Sequence, residues 1–243
     1  MKRQFDPQTP EWMDLPQPVS AELEDDLANL RTLNRWFGGV TAVLNPLKPM
    51  LTTDRKWSLL DLATGSADIP RSVAEWCQWK NISITIDAVD FQAATLEVAG
   101  AICRDHANIS FHQADIRTFA PERTWDVVVC SLALHHFSES DAILILQRAN
   151  ALATRCVIVT DLRRCLLGTL GVDFLTAVWM RAPMTRNDAR ASVRRAFSFR
   201  EFADLARSAG WQSFDHRRVP SFRQTLTLRK SDIAPAPAGG SAI

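Results

Sequence analysis

The chain has 243 residues, 47 % of them hydrophobic, which suits one α/β domain with appendages around a sizeable core. Its 28 Lys plus Arg nearly balance 27 Asp plus Glu, a formal charge of +1, so the bulk charge carries no nucleic-acid footprint. No apolar run reaches the ~20 residues of a membrane span. Met1-Lys2-Arg3-Gln4-Phe5-Asp6-Pro7 leads into no apolar core of the secretory kind. The five cysteines (Cys77, Cys103, Cys130, Cys156 and Cys165) lie apart with no C-x-x-C pair. They predict reduced thiols in a cytoplasmic protein rather than a disulfide or zinc frame.

Residues 1–19 carry Pro7, Pro10, Pro16 and Pro18 and should be extended or irregular. Ser20 is an N-cap for a helix spaced by Leu23, Leu27, Leu30 and Trp36-Phe37, which Gly38-Gly39 should end. Residues 40–56, with Pro46 and Pro49, read as a lead-in to the first strand. Trp57–Leu62 has the apolar profile of a strand buried on both faces. Ala63-Thr64-Gly65-Ser66-Ala67 is a turn of small residues, and Pro70 suits the first turn of the next helix. Such a unit points backbone N–H groups and a positive helix end at a sheet's carboxyl edge, where ligands of open α/β sheets sit. It is not G-x-G-x-x-G, because Ala63 and Asp68 stand where glycines would be needed.

Ile82–Val89 predicts a second strand ending at Asp90, 25 positions after Gly65. Ile109–Phe111 predicts a third, followed by Gln113-Ala114-Asp115-Ile116, and Trp125–Cys130 a fourth. Ser131-Leu132-Ala133-Leu134-His135-His136-Phe137 follows, then a helix over 141–151. Residues 156–160 predict a fifth strand running into Asp161-Leu162-Arg163-Arg164. Residues 165–196 are apolar at helical spacing, broken at Ala182-Pro183-Met184, with Arg186, Arg190, Arg194 and Arg195 beyond the break. Ser198 and Glu201 form a capping box, and Trp211–Val219 with Thr225–Leu228 predict a closing antiparallel hairpin. Residues 231–243, rich in Ala-Pro and Gly, should be disordered.

Residues 57–70 resemble motif I of class I S-adenosylmethionine-dependent methyltransferases, acid-x-Gly-x-Gly-x-Gly. Asp61 fills the acidic position and Gly65 the central glycine, with Ala63 and Ala67 in place of the outer two. Alanine keeps the turn small but restricts φ. The resemblance implies a Rossmann-like α/β fold: a seven-stranded, mostly parallel sheet with helices on both faces and an inserted helical cap. It implies an N-terminal arm and lid helix over 1–56, the domain over 57–230 with the insertion at about 165–196, and a tail over 231–243. It also implies S-adenosylmethionine as cofactor and S-adenosylhomocysteine as product. On that footing Asp61, Ala63, Thr64 and Gly65 bind the cofactor through motif I, and Asp90 takes the ribose. Phe91 takes an adenine face, Asp115 the adenine amino group, and the Ile116 N–H a ring nitrogen. Ser131, closing the fourth strand, joins the set. Plainer roles stay open for some of these: Asp90 as a helix N-cap, and Asp115 as a loop aspartate.

Small-molecule members of the family, among them quinone, polyketide and antibiotic methyltransferases, carry a Leu-His-His at the position of Leu134-His135-His136. Transfer to a hydroxyl needs a base, and histidine titrates near working pH. His135 or His136 is therefore the catalytic candidate, with Asp161 its orienting carboxylate. The alternative is that the histidines cap the next helix. Arg35, Arg163, Trp179 and Arg194 are candidates for the acceptor pocket, which the 165–196 segment should make apolar inside with a rim of Arg186, Arg190, Arg194 and Arg195. The alternative is that its helix buries its face in the core and the arginines are solvated. No metal is expected. The partner implied is a small aromatic or polyketide-like acceptor taking the methyl on oxygen. No nucleic acid and no stable membrane insertion are expected, with a monomer or homodimer as the assembly. A non-catalytic partner subunit of the same fold and, less favoured, a nicotinamide-dependent oxidoreductase are the other readings.

Overall fold

The computed structural model describes residues 1–178 and 182–230. Predictions placed on Trp179 and on 231–243 lie outside these residues. Seven strands form one sheet: β1 (Lys56–Leu62), β2 (Ser83–Asp90), β3 (Ile109–Gln113), β4 (Trp125–Ser131), β5 (Ala153–Leu162), β6 (Asp215–Val219) and β7 (Arg223–Arg229). Their order is β3-β2-β1-β4-β5-β7-β6. β1 to β5 run parallel, and β7 is antiparallel to both β5 and β6. The sheet and its closing hairpin agree with the sequence expectation. Trp211 precedes β6 rather than opening it; it is buried, and its Nε1–H donates to the Leu146 carbonyl.

The helices are α1 (Ala21–Trp36), α2 (Gly39–Leu47), α3 (Asp68–Trp79), α4 (Ala93–Ile102), α5 (Glu139–Leu152), α6 (Leu166–Val178), α7 (Pro183–Arg195) and α8 (Phe199–Ser208). The N-caps read at Ser20 and Ser198 are present, the latter as a complete box with Glu201. The lead-in read over 40–56 holds a helix that the sequence reading did not identify, α2. Val40, Val43, Leu44 and Leu47 repeat at i, i+3, i+4 and i+7, and Val43 and Leu47 are fully buried. Pro46 is tolerated next to the end of the helix.

Because the parallel strands are covered on both faces, alternate residues feed two separate cores. Leu60, Leu62, Val128, Cys130, Val157 and Val159 pack with residues of α5 and α8. Leu59, Val127, Val129 and Ile158 face the other way, towards α2 and α3. The strand order reverses between β1 and β4, so the crevice above their carboxyl ends is the topological switch point. The cysteines are free thiols, four of them buried. No helix among the described residues is long and apolar enough to cross a membrane.

Candidate functional site

A cavity of about 760 Å³ opens at this switch point. Its floor is the β1–α3 turn. Gly65 takes φ +54°, and a Cβ there would meet nothing within 4 Å, so the backbone faces open space. Ala63 and Ala67 also adopt φ +57°, a conformation that costs an L-residue about 1–2 kcal/mol. The turn therefore keeps a glycine-type backbone although only one glycine is present. It is pinned by Asp90 at the end of β2, whose Oδ2 accepts from the Gly65 N–H at 2.8 Å. Asp90 Oδ1 accepts from the Gln92 N–H at 3.1 Å. Burial pushes the Asp90 carboxyl up, and the backbone N–H groups of Gln92 and Gly65 work against that. The first residue of α4 follows Gln92, so Asp90 is not its N-cap.

Thr64, Gly65, Ala63, Asp90, Phe91, Asp115, Ile116 and Ser131 all line the cavity. Asp61 does not. It has the strand parity of Leu59 and points to the α3 face, buried below the turn beside Asp68. Burial there pushes its pKa to about 8. Asp115 is at the wall with its carboxylate held by Arg117 through three side-chain contacts of 2.5–3.0 Å. The Ser131 Oγ is buried with no hydrogen-bond partner among the described residues, while the Thr64 hydroxyl lies against Asp61. Open backbone, the unpartnered Ser131 hydroxyl and the pinned carboxylate fit a ribose-bearing, polar cofactor lying across the turn.

Beyond β4 a 3₁₀ turn over Leu134–His136 brings both histidines to the cavity. His135 is 3 % exposed. Its Nδ1 lies 2.6 Å from Asp161 Oδ1, and its backbone N–H donates to Asp161 Oδ2 at 3.0 Å. Asp161 ends β5 and is fully buried behind the wall. His136 stacks obliquely on His135 with ring centroids 4.2 Å apart, and its Nδ1 lies 2.7 Å from Asp14 Oδ2. Burial opposes the charge on His136, but Glu11 and Asp14 outweigh it and hold its pKa up at about 9. Neither histidine caps α5; that role belongs to Ser138.

The roof comes from two segments remote in sequence. Phe5, Pro7, Glu11, Met13 and Asp14 of the N-terminal arm line it, as do Gly171, Val172, Phe174 and Leu175 of α6. The arm is tied down by polar contacts. Asp188 of α7 accepts from the Trp12 and Met13 N–H groups, each at 2.9 Å. Arg3 donates to the carbonyls of His135 and Phe137 at 3.1 and 2.7 Å, and the Gln92 amide donates to the Asp14 carbonyl at 2.8 Å. In an otherwise proline-rich polar arm the sequence reading marks only Trp12 and Met13 as apolar residues able to dock, and it gives no signal for these polar ties.

The expected arginine rim is corrected. Arg35 is exposed at the end of α1, and Arg163, whose N–H donates to the Phe222 carbonyl, is not at the cavity wall. Arg194 is bidentate to Asp173 at 2.7 and 2.9 Å, and Arg190 donates to Thr176 Oγ1 at 2.8 Å. These cations lock α7 to α6 instead of facing the cavity. The arginines that do line the cavity are Arg117, which is committed to Asp115, and Arg223 of β7, neither of them singled out by the sequence reading. Glu11, His135 and His136 approach within 4.8 Å and carry the residue types of a divalent cation site. Arg195 lies 3.5 Å from Glu11, and with the charge on His136 it opposes a cation there.

Residues 59–155 match the family model described as a methyltransferase domain. None of the curated proteins matches the chain in sequence. The chain overlays an O-methyltransferase family 2 protein of Planctomyces limnophilus, crystallised with apigenin. The TM-score is 0.60 at 16 % identity, over 86 % of this chain and 62 % of that one. It overlays human N-acetylserotonin methyltransferase, crystallised with S-adenosylmethionine, with a TM-score of 0.59 at 14 % identity, over 86 % and 55 %. A plantazolicin methyltransferase in complex with S-adenosylhomocysteine gives 0.61 at 11 % identity, over 86 % and 96 %. The chain thus spans less than two thirds of the length of the first two proteins. At these identities the overlays establish the fold.

Proposed function

We propose that the chain is a class I S-adenosylmethionine-dependent methyltransferase that methylates a small aromatic or polyketide-like acceptor on oxygen, a reading supported by the match of residues 59–155 to a methyltransferase domain. The carrying observation is the bond from Gly65 N–H to Asp90, 25 residues on, in the same cavity as the His135–Asp161 pair. The cofactor is held by the Ala63–Gly65 turn, by Asp90 at the ribose, by Phe91, Asp115 and Ile116 at the base, and by Ser131 at the amino-acid end. Bound there, S-adenosylmethionine supplies an electrophilic methyl group on a sulfonium. The named solved structures bound to apigenin and to S-adenosylhomocysteine support this class of ligand.

The base is His135. Asp161 engages Nδ1 and so leaves Nε2 to accept the proton of an acceptor hydroxyl. Asp161 also balances the imidazolium that forms, as the carboxylate of a hydrolase triad does. His136, kept protonated by Glu11 and Asp14, favours the phenolate form of the acceptor beside it. The apolar residues of α6 and the arm exclude water. Residues 1–56 act as the arm and lid, and the 165–196 insertion as the cap of the domain spanning 57–230. The chain works as a monomer or homodimer.

Titration calorimetry with S-adenosylhomocysteine, on wild type and Asp90→Ala, tests the cofactor part. Wild type should bind, and the variant should lose roughly 10- to 100-fold in affinity with its charged acceptor gone. Equal affinity in both proteins would remove the ribose assignment. A methylation assay on a panel of phenols and catechols then tests the acceptor class.

A further inference from the structure

We propose that Arg223 is the seat of a carboxylate in the reaction cavity, carried by the acceptor or by the amino-acid end of the cofactor; this rests on the methyl-transfer reading above. Arg223 opens β7, is 4 % exposed and forms part of the cavity wall. Its Nη2 donates to Asn34 Oδ1 at 2.9 Å. Its Nε and Nη1 are buried and have no hydrogen-bond partner among the described residues. A guanidinium offers five N–H donors in a rigid fork, and here each edge of the fork keeps an unengaged nitrogen. Burying such donors unpaired costs free energy that a planar anion recovers through two parallel bonds.

The neighbouring carboxylates do not fill this role. Asp161 is committed to His135 and to the Leu162 N–H at 2.7 Å. Asp68 accepts from Asn34 Nδ2 at 2.9 Å. Both bear on Arg223 only through space, and burial, the larger influence, lowers its pKa to about 10, so it stays charged at neutral pH. The surroundings hold the fork rigidly. Asn34 bridges Arg223 to Asp68, and a side chain at Gly39 would collide with the Asn34 amide. Ser221 and Phe222, at φ +61° and +57°, turn the hairpin and line the cavity beside it.

Placement in the sheet favours the acceptor as the source. β7 lies on the far side of β5 from β4, whereas Asp90 belongs to β2 on the opposite flank of β1. The Asn34–Asp68 bridge leads back to the β1–α3 turn, which keeps the cofactor's own carboxylate as the second source. In either case the ligand chemistry is one planar carboxylate met by one fork.

The test uses two matched pairs in calorimetry on the full chain. S-adenosylhomocysteine is compared with 5′-methylthioadenosine, which lacks the amino-acid end. On protein saturated with S-adenosylhomocysteine, 4-hydroxybenzoate is compared with 4-hydroxybenzamide. Arg223→Gln should weaken the carboxylate-bearing member of one pair roughly 10- to 100-fold and leave its neutral counterpart unchanged. Loss for 4-hydroxybenzoate assigns the acceptor; loss for S-adenosylhomocysteine assigns the cofactor. Arg223→Lys keeps the charge without the fork and should show a smaller loss on the same ligand, which serves if the glutamine variant does not fold. The proposal is overturned if neither variant discriminates between members of either pair. Failure of wild type to bind S-adenosylhomocysteine would instead overturn the underlying methyl-transfer reading.

Discussion

The two halves of the cavity are built by different means. The floor, over β1, β2 and β4, is held by backbone: parallel ladders, the Gly65–Asp90 bond and the Thr64 N–H to Val89 carbonyl bond of 2.9 Å. The roof, made of the arm, α6 and α7, is held by charged and polar side chains: Asp188 on the arm backbone, Glu11 beside Arg195, Asp14 on His136 and Asp173 on Arg194. α6 leaves Leu166, Leu167 and Leu170 exposed, and Phe174, at the cavity roof, is itself 72 % exposed, so apolar burial holds this helix less than it holds the sheet. A backbone-held floor suits the proposed cofactor, and a roof of side-chain ties can vary with the proposed acceptor without disturbing the sheet.

The largest expected effect lies where the halves meet. His135→Gln, which removes the base, should cost ~10²–10⁴ in turnover while S-adenosylhomocysteine still binds, because the floor is untouched. Asp161→Asn should behave alike by loosening the ring's orientation. Unchanged turnover in both variants would show that the halves do not share a proton-transfer step.

A pH titration separates roof from floor next. His136 has a folded pKa of about 9 against an ordinary 6.5, so its contribution is whole below pH 6.5 and is lost as pH rises through 9. Burial alone would push Asp14 up, but the His136 hydrogen bond outweighs it and keeps its carboxyl below the usual range. Its share is present above pH 3.8 and is lost in acid as pH falls through that lowered value. Proteolysis within residues 1–19 should accordingly speed up between pH 6.5 and 9, and the His136 share of denaturant stability, about 3 kcal/mol, should be lost over the same window. His136→Gln should flatten the proteolysis slope, whereas part of the denaturant slope should remain, because Asp61, with its pKa of about 8, titrates in the same window. A proteolysis slope that survives the substitution would place the arm's pH sensitivity elsewhere.

The smallest effect tests the floor. Ala63→Gly relieves a left-handed alanine at the cavity wall and should raise stability by about 1 kcal/mol in chemical denaturation. The greater freedom of glycine in the unfolded chain offsets part of that gain. A loss of stability would mean that the Ala63 Cβ contributes more through packing than its backbone costs.

The legibility of each half follows the same divide. The strands, the caps at Ser20 and Ser198 and the Gly65-to-Asp90 spacing are local or periodic signals, and the structure bears them out. The errors fall where an argument from residue type had to stand in for a contact. Arg35, Arg163 and Arg194 look like a rim by residue type, yet Arg35 is exposed on α1, Arg194 is ion-paired to Asp173, and Arg163 is part-buried away from the cavity wall. Asp61 was placed on the cofactor by its motif position, but the two-residue period of β1 turns it under the floor.

The amino-acid sequence by itself determined the layered α/β fold and the sheet edge that carries the cavity, because continuous apolar strand runs and a small-residue turn need only neighbours a few positions away. The sequence already named Asp161 as the partner of one of the two histidines; tertiary structure alone decided that this one is His135 while Asp14 meets His136, that the first nineteen residues close the roof, and that Arg223 faces the cavity. Those pairings join residues 26 to 189 positions apart. Side-chain charge has no periodicity, so only the folded chain selects which opposite group each one meets.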